Sequence, residues 1–156
     1  MIITECFNDT ELVYRIGFSG NMVRHEYGRS RVLAKVEEKQ KAVIGIIDED
    51  PGAGQHPKMN EYEFQSRGTE SIKLLKRKDN NTKRLIQICP RLEDWLCLIA
   101  KRNKLSFPEI GVPDDPEKLH GVRQWDENFR KFLIALNKTK DDEINMFKKW
   151  IKDAIE

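Results

Sequence analysis

Four acidic residues in two short stretches of the chain are the side chains best suited to chemistry. Glu5 and Asp9 lie four residues apart near the N-terminus, and Asp48 and Asp50 flank Glu49 in the middle of the chain. Carboxylates that converge repel one another, and a divalent cation commonly relieves that repulsion. Mg²⁺ suits a site with few carboxylates, because it keeps water or phosphate oxygens at its other positions. The pattern predicts a site for Mg²⁺, or for Mn²⁺ in its place.

Each acidic pair follows an apolar segment that is typical of a β-strand. Residues 2–5 predict a short strand that ends at Glu5, and residues 42–47 form the unbroken apolar run of a strand covered on both faces. Side chains two apart along a strand project to the same side, so we expect Asp48 and Asp50 to converge. Open α/β sheets bind ligands at the carboxyl ends of their strands. If the two strands are neighbours, both acidic pairs share one crevice.

The same residues also have a simpler interpretation. Asp-x-Asp followed by Pro-Gly is an ordinary turn-forming sequence, and Glu5 could pair with a lysine. The apolar strand before Asp48 and the second acidic strand end favour a metal site over a plain turn.

The remaining segments predict an α/β fold with a mostly parallel or mixed four-stranded sheet, flanked by helices and followed by C-terminal helices. Two further strands, at 71–76 and 83–89, flank a hairpin turn at 79–81. The length fits a single domain over 1–156, with a core of about 1–105 and a helical extension over 116–156. Helical spacing and capping residues predict helices over 8–16, 30–39, 57–65, 91–103, 124–137 and 141–155.

The two acidic motifs resemble the TOPRIM domain, which topoisomerases, bacterial primases and the overcoming-lysogenization-defect (OLD) nucleases share. The first motif of that family is a strand followed by Glu-Gly-x-x-Asp/Glu, and its second is a strand ending in Asp-x-Asp. The resemblance covers about the first hundred residues. It implies a TOPRIM-like fold in which Glu5, Asp9, Asp48 and Asp50 are metal ligands. It also implies that Glu5, Asp48 and Asp50 are catalytic.

The resemblance is closest to the small standalone and OLD-like members of that family. In these proteins a further acid follows a later strand at the start of a helix, and Glu93 occupies that position here. A glutamate at a helix N-terminus is also well placed against the helix dipole without any metal. The chain departs from the family pattern at Cys6, which replaces the motif glycine, although the spacing from Glu5 to Asp9 is kept.

The chemistry implied by such a site is metal-dependent hydrolysis of nucleic-acid phosphodiesters. Topoisomerase activity needs a nucleophilic tyrosine on another domain, and priming needs polymerase elements, so a small nuclease in DNA repair or phage defence fits best. Glu5 is a candidate general base or second-site ligand. The alternative is a non-catalytic TOPRIM-like module that binds nucleic acid or a partner protein. A third interpretation is a structural subunit whose residues Phe147, Trp150 and Ile151 pack against another copy.

Contact with nucleic acid has to come from local basic patches, because the net charge is only +2, from 28 basic and 26 acidic residues. One patch lies in the early loop and the other at the hairpin, where lysines are also a common guard against edge aggregation. A homodimer or an ATPase partner is a further expectation. The candidate nucleic-acid-binding residues are Arg24, Arg29 and Arg31 in the early loop, and Lys76, Arg77 and Lys78 at the hairpin.

The cysteine content and the hydropathy of the chain indicate where in the cell the protein is expected. The three cysteines form no CxxC pair, so we expect reduced thiols rather than disulfides or a zinc site. The N-terminus lacks the basic lead and long apolar run of a signal peptide. No stretch approaches the roughly 18 consecutive apolar residues that span a bilayer. We therefore expect a soluble, cytoplasmic protein with no membrane partner.

Overall fold

Six strands form one mixed sheet in the computed structural model, which describes residues 1–156. The strands are β1 (Ile2–Thr4), β2 (Val23–His25), β3 (Val43–Asp48), β4 (Tyr62–Ser66), β5 (Ile72–Arg77) and β6 (Asn80–Ile88). In space they lie in the order β2-β1-β3-β6-β5-β4. Strands β2, β1, β3 and β6 are parallel, whereas β5 and β4 are antiparallel to their neighbours. The carboxyl ends of the parallel strands therefore meet at one edge of the sheet.

Helices connect the parallel strands and cover both faces of the sheet. Helix α1 follows β1, α2 joins β2 to β3, and α3 follows β6. No helix combines the length and apolar character needed to cross a bilayer. The helices are α1 (Phe7–Arg15), α2 (Arg29–Glu38), α3 (Leu92–Arg102), α4 (Phe107–Ile110), α5 (Pro116–His120), α6 (Glu127–Lys138) and α7 (Asp142–Ile155), and 3₁₀ turns occur at Gly20–Met22, Pro51–Ala53 and Pro57–Glu61.

The core is divided by the sheet into a large and a small cluster. The large cluster holds 29 buried residues from one face of the sheet and from α1, α3, α6 and α7, and the small cluster holds 10, including the buried face of α2. The rings of Trp95 and Phe147 lie 5.2 Å apart and join α3 to α7. The expected core of about 1–105 and the expected extension over 116–156 thus contribute residues to the same hydrophobic cluster. Phe147, Trp150 and Ile151 are buried in it, so this helix face is not free to pack against another copy.

The expected strand number was wrong, because the sheet has six strands and not four. Strand β2 has only three residues and lies in a polar segment, so its sequence carries no alternation to detect. Strand β4 falls where a helix was predicted over 57–65. Pro57 does begin a helical turn, but the turn is 3₁₀ and ends at Glu61. Strand β4 is an edge strand with mostly exposed side chains, so pairing with β5 defines it rather than burial.

The seam between α2 and β3 is the tightest packing near the strand that carries Asp48. A Cβ at Gly45 would lie 2.9 Å from both Leu85 Cδ2 and Val32 Cγ1. Gly45 thus lets α2 approach β3 closely, which fixes the first turn of α2 relative to the end of the strand.

We expect Gly45→Val to lower the free energy of unfolding by about 1–3 kcal/mol, because the added methyls overpack this seam. Urea denaturation of purified protein measures the change. Gly52→Ala is the matched control, since a Cβ there meets nothing within 4 Å. Equal stability of the Gly45 variant and the wild type would contradict the close approach.

Candidate metal centre

The parallel arrangement brings the two acidic motifs together. Strands β1 and β3 are direct neighbours, with Thr4 paired to Ile46, so Glu5 emerges beside the end of β3. The Asp48 backbone N–H donates a hydrogen bond of 2.9 Å to Glu5 Oε2. The two strand tips are thus joined directly, as the sequence predicted.

Asp9 is held in the first turn of α1, beneath Glu5. Its Oδ2 accepts a 3.1 Å hydrogen bond from the Cys6 backbone N–H, the residue that caps the helix. The side chain is almost fully enclosed, with 1% of Asp9 exposed. Its other oxygen, Oδ1, is buried without any hydrogen-bond partner.

Asp48 and Glu93 complete the cluster from the other side. Asp48 Oδ1 accepts a 2.9 Å hydrogen bond from the Leu92 backbone N–H, at the start of α3. Glu93, in the first turn of α3, is 1% exposed, and its Oε1 accepts from Asn8 Nδ2 at 3.0 Å. The same oxygen lies 3.2 Å from His120 Nδ1. The second oxygen, Glu93 Oε2, is buried without a partner.

The electrostatics show that these carboxylates are close enough to repel one another. Burial raises the pKa of Asp48, and the charges of Asp9, Glu5 and Glu93 raise it further. Burial likewise raises the pKa of Asp9, and the charge of Glu5 adds to the effect. The pKa of Glu5 is also raised, chiefly by burial, although the hydrogen bond from Asp48 and the charge of Arg29 oppose this. The cluster therefore favours protons or a cation over bare carboxylates.

Asp50 does not occupy the position that strand alternation predicted. Strand β3 ends at Asp48, and Asp50 adopts a left-handed conformation with φ of 42°. Its side chain is exposed and lies outside the buried group, although its charge still raises the pKa of Glu5. Glu5 and Asp50 both line an open cleft of about 590 Å³, which Tyr27, Arg31 and His56 also line. Asp50 thus belongs to the rim of the site.

The cluster is not a finished coordination shell. The side chains as they stand do not form a group of three or more placed to hold a metal ion. Three of the carboxylates nevertheless use one oxygen to accept a hydrogen bond: Asp9 from Cys6, Asp48 from Leu92 and Glu93 from Asn8. Hydrogen bonds of this kind orient metal-binding carboxylates in proteins.

The backbone at Cys6 does not require the glycine that the family motif has there. Its φ of −139° and ψ of 174° are extended values that any residue adopts. Burial, followed by the charge of Asp9, raises the pKa of the Cys6 thiol far above its ordinary value. Without a bound cation, burial and the neighbouring carboxylate therefore favour the neutral form of the Cys6 thiol.

The early-loop arginines differ in their availability. Arg29 donates to the carbonyl oxygens of Glu49 at 2.9 Å and Gly54 at 2.7 Å, so it holds the acidic loop in place. Arg24 pairs with Glu26 at 2.8 Å. Arg31 is exposed on the first turn of α2, lines the cleft and forms no ion pair. Among the three, Arg31 is the side chain free to meet a phosphate.

The hairpin residues lie far from the acidic cluster. Strand β6 runs parallel to β3, with Lys83 beside Val43 and Ile88 beside Asp48, so the hairpin that precedes β6 is at the opposite end of the sheet. Eight residue steps along β6 span roughly 26 Å. Arg77 is also engaged by Glu37, Glu61 and Asp79, and Lys76 lies 3.8 Å from Glu63. Lys78 is exposed.

Two contacts of the site were missed by sequence reasoning. Asn8 was seen only as a helix-start residue, although its amide also contacts Glu93 across 85 positions. His120 lies at the end of α5, inside the expected helical extension but outside the individual helices predicted there. Nothing in the spacing of these residues points to Glu93, because only the tertiary arrangement of α1, α3 and α5 brings them to it.

Comparisons of the chain with protein-family models, with curated proteins and with solved structures give no match.

The raised pKa values predict an unusual dependence of stability on pH in the absence of metal. The folded state raises the pKa of Asp9 to about 8 and of Asp48 to about 9, from unfolded values near 4. The native state therefore binds more protons than the unfolded state between these limits. We expect the free energy of unfolding in EDTA to fall as pH rises from about 5 to about 9.

Asp48→Asn should flatten this profile and raise the free energy of unfolding at pH 8 by about 1–2 kcal/mol, because the neutral amide removes the cost of burying or protonating the carboxylate. Its Oδ1 can still accept from Leu92. Urea denaturation at several pH values measures both effects. A profile that rises toward alkaline pH would show that the carboxylates do not repel one another.

Proposed function

We propose that this chain is a Mg²⁺-dependent nuclease or phosphohydrolase of TOPRIM-like type, acting on phosphodiesters of nucleic acid. Glu5, Asp9, Asp48 and Glu93 would hold the metal, and Asp50 would contribute from the rim. Bound Mg²⁺ or Mn²⁺ neutralises phosphate oxygens and lowers the pKa of a water molecule.

The observation that carries the proposal is the pair of buried oxygens without partners. Asp9 Oδ1 and Glu93 Oε2 belong to residues that are each 1% exposed. A buried carboxylate oxygen without a hydrogen bond is costly, and native structures rarely leave one without a functional reason. Both lie in the group whose charges raise the pKa of Asp48. A divalent cation bound among these carboxylates would offer such an oxygen a partner.

The donor set fits Mg²⁺. The ligands offered are carboxylate oxygens, which hard cations such as Mg²⁺ prefer to the soft sulfur of Cys6. Because the side chains do not yet form a closed group, binding would involve small rotations of Glu5 and Asp48. Asp9 and Glu93 are fixed more firmly by burial.

The residues of the cleft suit the handling of a phosphodiester. Glu5 lines the cleft, where it would serve either as a general base or as a ligand of a second ion. Arg31 is placed to pair with a phosphate on the same wall. Arg29 would keep the Asp50 loop against the site through its bonds to Glu49 and Gly54.

The placement of the acids supports the resemblance to TOPRIM domains. The acid after β1, the acid at the end of β3 and the acid after β6 are the three elements that the resemblance implies. The OLD-like and standalone members remain the nearest models. Association with an ATPase partner stays part of the proposal.

Glu93→Gln tests the metal centre against a matched neighbour. Asp94, the next residue of the same helix turn, pairs with Arg91 at 3.2 Å and lies outside the cluster, so Asp94→Asn is the control. We expect Glu93→Gln to weaken Mn²⁺ binding by about 10- to 100-fold and to remove cleavage of plasmid and single-stranded DNA or RNA. We expect Asp94→Asn to retain both. Isothermal titration and gel assays in Mn²⁺ are the measurements.

Unchanged Mn²⁺ affinity in Glu93→Gln would refute the metal centre. Metal binding that Glu93→Gln weakens, without cleavage of any substrate by the wild type, would favour the second candidate. That candidate is a non-catalytic TOPRIM-like module that binds nucleic acid or a partner protein. The ion pairs of Arg24 and Arg77 favour its protein-binding form, because neither paired side chain is free to contact a phosphate.

Both candidates predict which basic end of the sheet contacts nucleic acid. Arg31 and Lys78 are both exposed, but only Arg31 lines the acidic cleft. We expect Arg31→Ala to weaken binding of a labelled oligonucleotide and to lower the salt slope by about 1, with Lys78→Ala close to the wild type. Anisotropy titrations at several salt concentrations measure this. If Lys78→Ala weakens binding and Arg31→Ala does not, the nucleic-acid interface lies at the hairpin instead.

A further inference from the structure

Three aromatic rings form a cluster beside the acidic centre. The rings of Phe7 and His25 stack with centroids 4.2 Å apart and planes inclined by 29°. Tyr27 stands edge-on to both, 4.5 Å from His25 and 6.2 Å from Phe7. The three residues come from the start of α1, the end of β2 and the loop before α2. Two rings therefore hold Tyr27 in one orientation.

Tyr27 is exposed although it is held in place. At 65% it is the most exposed of the large hydrophobic and aromatic side chains, and Phe7 and His25 below it are half-buried. An aromatic side chain fixed before binding loses little conformational entropy when a ligand covers it. Packing against the rest of the protein explains the positions of Phe7 and His25, but it does not explain why the Tyr27 ring is exposed.

The cluster adjoins the metal centre through both the backbone and the cleft. Phe7 lies between Glu5 and Asp9 in sequence, and His25 pairs with Thr4, the residue before Glu5. Tyr27 lines the same cleft as Glu5 and Arg31. A flat group resting on Tyr27 therefore lies next to the carboxylates.

We infer that Tyr27, supported by His25 and Phe7, stacks against an unpaired nucleobase, so that the substrate is single-stranded or locally unpaired nucleic acid. The inference rests on the proposed function and names its substrate class. Aromatic rings beside a groove with an available cation are how proteins hold single strands without reading their sequence. In a duplex the faces of the bases are already stacked on each other, so Tyr27 could not reach them.

Binding of a 12-nucleotide fluorescein-labelled single strand, measured by anisotropy in EDTA, tests the inference apart from metal and cleavage. We expect Tyr27→Ala to weaken binding about tenfold and Tyr27→Phe to stay within about twofold, since the phenyl ring also stacks. Phe64→Ala is the matched control, because Phe64 is exposed on β4 at the opposite edge of the sheet, roughly 24 Å away. We expect it to bind like the wild type.

A fully abasic strand of the same length removes the stacked base in every register. We expect it to bind the wild type more weakly than the normal strand does, and we expect this loss to be smaller in Tyr27→Ala, because both changes remove the same contact. Equal binding by Tyr27→Ala and the wild type, or equal losses in Tyr27→Ala and Phe64→Ala, would overturn the inference. So would duplex binding that falls as much as single-strand binding in Tyr27→Ala. If the Glu93→Gln experiment refutes the metal centre but Tyr27→Ala still weakens single-strand binding, the nuclease proposal is overturned and the stacking of Tyr27 on a base is retained.

Discussion

Repulsion among carboxylates in a poorly solvated crevice is the constraint on which the rest of this structure depends. Burial raises the pKa of Asp48, and the charges of Asp9, Glu5 and Glu93 raise that pKa further. The first turns of α1 and α3 both begin at the crevice, so their backbone N–H groups and dipoles offset part of the repulsion. These groups do not offset the rest of the repulsion, and the buried oxygens Asp9 Oδ1 and Glu93 Oε2 accept no hydrogen bond. Such an arrangement is costly for folding and useful for holding a cation.

The fold explains how one chain assembles this crevice. Neighbouring parallel strands place the carboxyl ends of β1, β3 and β6 at a single edge, and helices α1 and α3, which follow β1 and β6, start there as well. Strand β2 contributes His25 to the aromatic cluster, and Glu5 and the exposed Tyr27 line one cleft. The antiparallel strands β5 and β4 extend the sheet away from this edge, and they carry the basic hairpin to its other end.

The sequence was sufficient for the elements with strong local signals. The apolar run of β3 and the acid after β1 predicted that the two strand ends lie together, because a strand buried on both faces has an unbroken apolar sequence. It failed at β2 and β4, where a three-residue strand with no fully buried side chain and an exposed edge strand leave no such pattern. Asp50 was misplaced because alternation was extended past the end of β3 into a left-handed turn. His120, at the end of α5, and Tyr27, in the loop before α2, reach the site through tertiary contacts, which have no periodicity in sequence.

The most direct test of the central claim is a crystal structure of the protein soaked in Mn²⁺, with the anomalous signal of manganese used to locate the ion. We expect a peak within bonding distance of Asp9 Oδ1 and Glu93 Oε2, with Asp48 turned toward it. A map without manganese among these carboxylates at saturating Mn²⁺, or with the ion bound only at other surface acids, would contradict the account.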